Sequence, residues 1–327
     1  MRELTYAEAM AEALDEALRE NERVILIGSF FFGLSRHSVL LNRLRQEFGP
    51  RIKDPPIAEL GSCGVAIGAA MAGLRPIVDV STASFFFQAW PQVVNEAANV
   101  HYMTGGQTRV PVVFHLLAGI RGAGAAQHSH SPQAMLWNTP GLEIILPASP
   151  ADVKGLLRTA VLESNNPTVF MDHVQLFEVT GPVPEGKYSI PFGQAEVKRQ
   201  GRDVTIVATS IMVQKALQAA ELLMREGIDV EVVDPRTLVP LDTETILESV
   251  AKTGRLVVAD ECHLRCSVAS EIAATVAEQG AKYLKAPIKR VATLDVPIPF
   301  SPPLEKFVEP TVEKIVTAVK AQMIELS

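Results

Sequence analysis

Twice along this chain, short uninterrupted apolar runs alternate with longer segments of helical periodicity, and a Pro/Gly-rich stretch separates the two series. Strands that are apolar at successive positions must be covered on both faces, which places them in mostly parallel sheets between layers of helix. The first series holds residues 23–28 (RVILIG), 75–80 (RPIVDV), 110–117 (VPVVFHLL), 142–147 (LEIILP) and 167–172 (PTVFMD). Residues 180–192 (TGPVPEGKYSIPF) then read as a linker. The alternation restarts with residues 203–209 (DVTIVAT), 229–234 (DVEVVD), 256–261 (LVVADE) and 288–293, and a last helix is expected near 311–323. At 327 residues the chain exceeds one compact core. The fold class expected is therefore α/β, as two three-layer domains on mostly parallel sheets, residues 1–185 and 186–327. Such sheets bind ligands beyond the carboxyl ends of their strands, so function belongs in the loops that follow them.

Helix starts are marked locally. Thr5 with Glu8 forms a capping box ahead of Met10, Leu14 and Leu18, and Ser149-Pro150-Ala151-Asp152 places a cap residue, a proline and an acid at a helix entrance. Residues 89–103 read as a helix, and residues 61–74 as one unusually rich in Gly and Ala.

Composition excludes several classes. With 47% apolar and 20% charged residues and a net charge of -7, the chain is globular, and nothing basic favours nucleic acid or a membrane surface. No apolar stretch suits a bilayer span, and the N-terminus has no apolar signal core. Three cysteines, Cys63, Cys262 and Cys266, are too few for a disulfide framework, so the expected location is the cytoplasm. A Walker loop, a G-x-G-x-x-G after a strand and a G-x-S-x-G elbow are all absent from the sequence.

Four segments carry chemistry. Glu59, in PPIAELG at the head of the Gly/Ala helix, is a carboxylate between apolar neighbours, where desolvation would favour its protonated form; its alternative role is to complement the helix dipole. The small residues behind it suit close approach by a cofactor or another backbone, or tight internal packing. The run Ser84-Phe85-Phe86-Phe87-Gln88-Ala89-Trp90 has too many consecutive rings for one core face, so a ring is expected against a ligand or a partner subunit. Residues 121–133 form a small-residue loop ending in His128-Ser129-His130-Ser131, with imidazoles suited to proton transfer or to structural hydrogen bonds. Cys262-His263-Leu264-Arg265-Cys266 has a spacing that matches neither the usual zinc pairing nor a thioredoxin motif.

Taken in order, these segments resemble the beta subunit of the decarboxylating component of 2-oxo-acid dehydrogenases (pyruvate, branched-chain and acetoin types), within the transketolase-like superfamily. The resemblance runs through Ile57-Ala58-Glu59, Gly73-Leu74-Arg75-Pro76, QVVNEAA at 92–98, YMTGGQ at 102–107, Gln127-His128-Ser129, TPGL at 139–142, DVKGLL at 152–157, DPRTLVPLD at 234–242 and KTGRLVV at 252–258. It implies a pyrimidine-binding domain followed by a transketolase C-terminal-like domain concerned with assembly and docking. It implies thiamine diphosphate as cofactor. Glu59 would bond the ring nitrogen of the aminopyrimidine and favour its imino tautomer, Phe85 would pack on that ring, and Gln88 would lie close by. His128 would face the reacting centre and guide acyl transfer to a lipoyl group. A potassium site would fall near Ala160, Glu163 and Asn165.

The Gly-Asp-Gly start with which relatives hold magnesium and the diphosphate does not occur here, so no magnesium is expected in this chain. The resemblance instead implies an alpha subunit that grips that half of the cofactor, in a heterotetramer that docks on a lipoyl acyltransferase core. The substrate would be a small 2-oxo acid or an acyloin. A thiamine-diphosphate carboligase, lyase or split transketolase working without lipoamide is the alternative reading, and a non-catalytic scaffold subunit a third.

The sequence also departs from the family. Gly28-Ser29-Phe30-Phe31-Phe32 replaces an acidic Gly-Glu-Asp, His130 and Gln133 replace Gln and Glu of the HSQSPE stretch, and residues 262–267 replace a glycine-rich turn. The aromatic run suggests a more apolar pocket wall or a different subunit contact.

Overall fold

The structure is a computed structural model, and it describes residues 1–28, 30–33 and 35–324. It divides into two compact units, residues 1–118 with 135–192, and residues 119–134 with 193–327.

The first unit contains the strands β1 (Arg2–Thr5), β2 (Val24–Ile27), β3 (Ile52–Lys53), β4 (Arg75–Thr82), β5 (Val113–Ala118), β6 (Glu143–Ile145), β7 (Thr168–His173) and β8 (Thr180–Val183). Its main sheet runs β6-β7-β5-β4-β2-β3, every pairing parallel. Apolar side chains on both faces explain this: Val24, Leu26, Ile77, Val78, Phe114, Leu116, Val169 and Phe170 are all buried. β1 and β8 form a separate antiparallel ribbon, so the segment expected as pure linker begins with a strand.

The N-terminal helix Tyr6–Glu20 starts at the capping box formed by Thr5 and Glu8. It packs on the helix Pro150–Arg158, which Ser149 caps through the backbone N–H of Asp152. Lys154 is fully buried in this contact, with its ammonium on Glu12 and, at 3.0 Å, on Glu16. The expected helix over 89–103 is instead broken into a 3-10 segment, Ala83–Ala89, a π-helical turn, Pro91–Ala97, and a short helix, Val100–Met103. Pro91 cannot donate to the preceding turn, which accounts for the interruption there.

The second unit contains β9 (Glu196–Arg199), β10 (Val204–Ala208), β11 (Val230–Asp234), β12 (Thr237–Val239), β13 (Leu256–His263) and β14 (Lys289–Thr293). Its five-stranded sheet runs β14-β13-β10-β11-β9, parallel except for the edge strand β9. Residues 119–134 pack with this unit: the backbone N–H of Ile120 donates to Glu261 at 3.0 Å, and Gln133 donates to Asp260 at 3.2 Å.

Candidate active site

In the first sheet β2 is the strand at which the order reverses. The chain steps outward from β2 to β3, then returns to place β4 on the other side of β2. Loops leaving adjacent strands in opposite directions open a crevice at such a point. A cavity of about 130 Å³ lies there, lined by Gly28 and Phe30 after β2, Pro55–Glu59 and Ser62 after β3, and Asp79, Val80, Ser81 and Phe85 at and beyond the end of β4.

Glu59 is the first residue of the helix Glu59–Met71 and is half-buried on the cavity wall. The cap position, Ala58, offers no side-chain acceptor, so the carboxylate lies at a helix start with no competing anion on the cap. Phe85 is half-buried and lines the same cavity. Its neighbours settle the aromatic run: Phe86 is buried against Phe114 with ring centroids 5.5 Å apart, and Phe87 packs on Trp90 at 6.2 Å. Gln88 is exposed and does not line the cavity.

Of the aromatic departure after β2, Phe30 lines the cavity while Phe31 and Phe32 enter the core, at 0% and 1% exposure. Ser29 lies outside the described residues. Gly28 has φ +108°, and a Cβ there would stand 2.8 Å from the carbonyl oxygen of Asp79, so only glycine fits between β2 and β4.

Sequence reasoning passed over the polar group beneath this cavity. Asp79, His115 and Asp172 sit on β4, β5 and β7, three adjacent strands, and their side chains are 0%, 1% and 0% exposed. His115 Nδ1 is 3.1 Å from Asp79 and Nε2 is 2.9 Å from Asp172. Both ring nitrogens therefore donate to carboxylates. Burial alone would lower the pKa of this imidazole, but the bonds to Asp172 and Asp79 outweigh it and raise the value to about 9. The Tyr6 hydroxyl donates to the other oxygen of Asp172. A signal was available: a histidine and two aspartates interrupt otherwise apolar strands, where an unpaired charge is too costly to bury.

His128 belongs to the segment that packs with the second unit. It ends a 3-10 turn, Ala126–His128, and is exposed. Arg121 clamps the loop by donating to the His128 carbonyl at 2.9 Å. Ala123 and Ala125 hold φ of 53° and 55°, left-handed values that are strained for alanine, a condition frequent at functional loops.

Within that unit the departures at His130 and 262–267 converge. His130 and His263 line one cavity of about 520 Å³ with Ser129, Asp295 and Ile298. His263 donates from Nδ1 to the Leu294 carbonyl at 2.8 Å. Burial, with the His263 charge adding to it, lowers the pKa of His130. Cys262 is buried and Cys266 exposed, both free, and no cluster of three or more His, Cys, Asp or Glu suited to a metal exists among the described residues.

Near the expected potassium position, Ala160 is buried in the π-helical turn Thr159–Glu163, Glu163 accepts a bond from Ser189, and Asn165 is exposed. The Arg75 guanidinium donates to the carbonyls of Val161 in this turn and of Ser164 just after it.

Comparison with known proteins decides the family. The pyrimidine binding domain of transketolase matches residues 2–179, and the transketolase C-terminal domain matches residues 193–315. The chain is 42% identical over 319 residues to the pyruvate dehydrogenase E1 component subunit beta of Rickettsia felis, covering 97% of this chain and 98% of that one. The chain belongs to the E1 beta-subunit family. Another relative is the acetoin:2,6-dichlorophenolindophenol oxidoreductase subunit beta of Cupriavidus necator, 40% identical with 98% of each chain covered. Among solved structures, a split-gene transketolase described as an inactive beta4 tetramer superposes with a TM-score of 0.80 at 27% identity, covering 98% of each chain. For an E1 beta-type chain, the cavity at the β2/β4 switch point lies in the domain matched as pyrimidine-binding. No described helix is long and apolar enough to cross a membrane.

Proposed function

We propose that this chain is the beta subunit of a thiamine-diphosphate-dependent 2-oxo-acid or acetoin-type dehydrogenase that cleaves the C–C bond next to a carbonyl and passes the acyl group to lipoamide. The observation that carries the proposal is the pairing of the Glu59 carboxylate with the Phe85 ring on one small cavity at the switch point.

That cavity fits half of the cofactor. Its size and apolar walls suit one heteroaromatic ring, with Glu59 as the hydrogen-bonding partner of a ring nitrogen and Phe85 as the packing surface. Once bound, thiamine diphosphate supplies a thiazolium that accepts the electron pair left by C–C cleavage. The chain's own task is to offer the Glu59 carboxyl group to the ring nitrogen and to exclude water with Phe30, Val80 and Phe85. His128, on its strained loop, is assigned to stabilising charge on the substrate side.

The diphosphate half and its magnesium are assigned to an alpha chain. Ile57 and Leu60, on either side of Glu59, are 83% and 49% exposed, and Val65 on the same helix is 65% exposed. Gly68 of this helix meets nothing within 4 Å and Gly61 only the Ala58 Cβ at 3.9 Å, so their small size serves no packing inside this chain. Exposed apolar residues with bare backbone between them suit a second polypeptide. A heterotetramer docked on a lipoyl acyltransferase core follows from this reading, as does an interior location in the cell.

The alternative, a carboligase or split transketolase, draws on the structural likeness to a split-gene transketolase. Co-purification with an alpha chain, then assay of 2-oxo acids and acyloins with and without a lipoyl domain, separates the two. Turnover stimulated by the lipoyl domain supports the dehydrogenase. Ketol transfer unaffected by it supports the alternative.

A further inference from the structure

The two loops that wall the cavity are tied to one side chain. Asp79 Oδ1 accepts the backbone N–H of Ser81 at 2.9 Å, and Oδ2 accepts the backbone N–H of Phe30. Phe30 follows β2 and Ser81 is the next-to-last residue of β4, so this single carboxylate fixes both sides of the switch point. Ser81 needs the help: its φ of 63° is a left-handed value unfavourable for serine. The register between β4 and β5 also slips between Asp79 and Thr82, a bulge that re-aims Val80 and Ser81.

Asp79 has a full set of partners only if His115 donates to it. Facing His115 are Asp79 from β4, Asp172 from β7, the Phe31 ring stacked at 5.2 Å and the Phe170 ring at 6.1 Å; Tyr6 from the N-terminal helix reaches the far oxygen of Asp172. With His115 as imidazolium both ring nitrogens donate. With His115 neutral one of them loses its donor role, and one of the two buried aspartates is left with a bond fewer. A swing of Asp79 would release the Phe30 and Ser81 N–H groups together.

We infer that His115 is a positioning residue: clamped as a cation between Asp172 and Asp79, it holds the Phe30 and Ser81 loops in the shape that receives the pyrimidine half of the cofactor. The Phe31 ring over the imidazole ties this clamp to the aromatic departure after β2. A flat ring with a negative face suits an imidazolium, which gives the apolar replacement of an acidic segment a physical partner.

The inference rests on the reading of the cavity as a thiamine-diphosphate site, and its test keeps the two apart. In the enzyme assembled with its alpha chain, the Kd of thiamine diphosphate and the kcat at cofactor saturation are measured for His115→Gln and Asp172→Asn. Either substitution is expected to weaken cofactor binding by about tenfold while kcat at saturation changes by less than about twofold, because the clamp shapes the site without touching reacting atoms. In the unaltered enzyme the same weakening is expected as pH rises through about 9. A lowered melting temperature with unchanged Kd in the variants would reduce the triad to a structural element and overturn the inference. If neither variant folds, the wild-type profile decides, and a Kd that stays flat from about pH 7 to about pH 10 overturns it. Glu59→Gln measured alongside isolates the other failure: unchanged binding and turnover there would remove the cofactor reading itself.

Discussion

The Phe31 ring stacks on the His115 imidazole, with centroids 5.2 Å apart and planes 20° from parallel, in the core beneath the candidate cofactor cavity. The carboxylates of Asp172 and Asp79 on the same imidazole make the stability of the chain depend on the charge of His115. The folded-state pKa, about 9, lies above the ordinary value of 6.5, so the folded chain binds the proton more tightly than the unfolded one. The stabilisation is fully present below about pH 6.5 and is lost as pH rises through about 9. Urea unfolding between these limits should show stability falling with pH in the wild type and a flatter profile in His115→Gln. Phe31→Leu, which keeps an apolar side chain but removes the ring face, should cost about 1–2 kcal/mol near pH 6.5.

Gly28→Ala should damage the same region from the backbone side. The added methyl meets the Asp79 carbonyl at 2.8 Å, and the φ of +108° is strained for alanine. A loss of roughly 2 kcal/mol or more in denaturant unfolding is expected, with weakened cofactor binding in the assembled enzyme.

Lys154→Met tests the contact between the N-terminal helix and the helix Pro150–Arg158. The ammonium is 0% exposed and serves Glu12, Glu16 and, at 2.7 Å, the Gly186 carbonyl. Removing it leaves the partly buried Glu16 without this partner and Glu12 with Arg2 alone, a loss of about 3 kcal/mol in urea or thermal unfolding. A loss below about 1 kcal/mol would mean that water takes over the pairing.

The three thiols should differ in reactivity. Burial pushes Cys63 up to about 12 and Cys262 well above the usual thiol range, whereas Cys266 is exposed. Iodoacetamide on the folded chain should label Cys266 and reach the other two only after denaturation, as read by peptide mass. Labelling of Cys262 at a comparable rate in the native chain would contradict this burial.

Much of this architecture was written in the apolar runs. The runs expected at 75–80, 167–172, 203–209 and 256–261 overlap the strands Arg75–Thr82, Thr168–His173, Val204–Ala208 and Leu256–His263, because continuous burial on both faces leaves few alternatives. Thr5 and Ser149 marked their helices because a cap is a local bond between neighbours in sequence. What escaped was non-local. The strand Thr180–Val183 hid in a Pro/Gly-rich stretch because its partner, Arg2–Thr5, lies at the far end of the chain. The helix expected over 89–103 breaks at Pro91, a residue a purely periodic reading passes over. In the site, Glu59 and Phe85 were singled out through a family resemblance, and both line one cavity. The Asp79–His115–Asp172 triad was not, because its members are far apart in sequence and meet only once β4, β5 and β7 are adjacent.

The most direct test of the Glu59 assignment is exchange of the thiazolium C2 proton in the assembled enzyme, followed by NMR after deuterium mixing and acid quench. The account predicts rapid exchange in the wild type and a loss of about 100-fold or more in Glu59→Gln, with the heterotetramer intact. Equal exchange rates in the two proteins would contradict it.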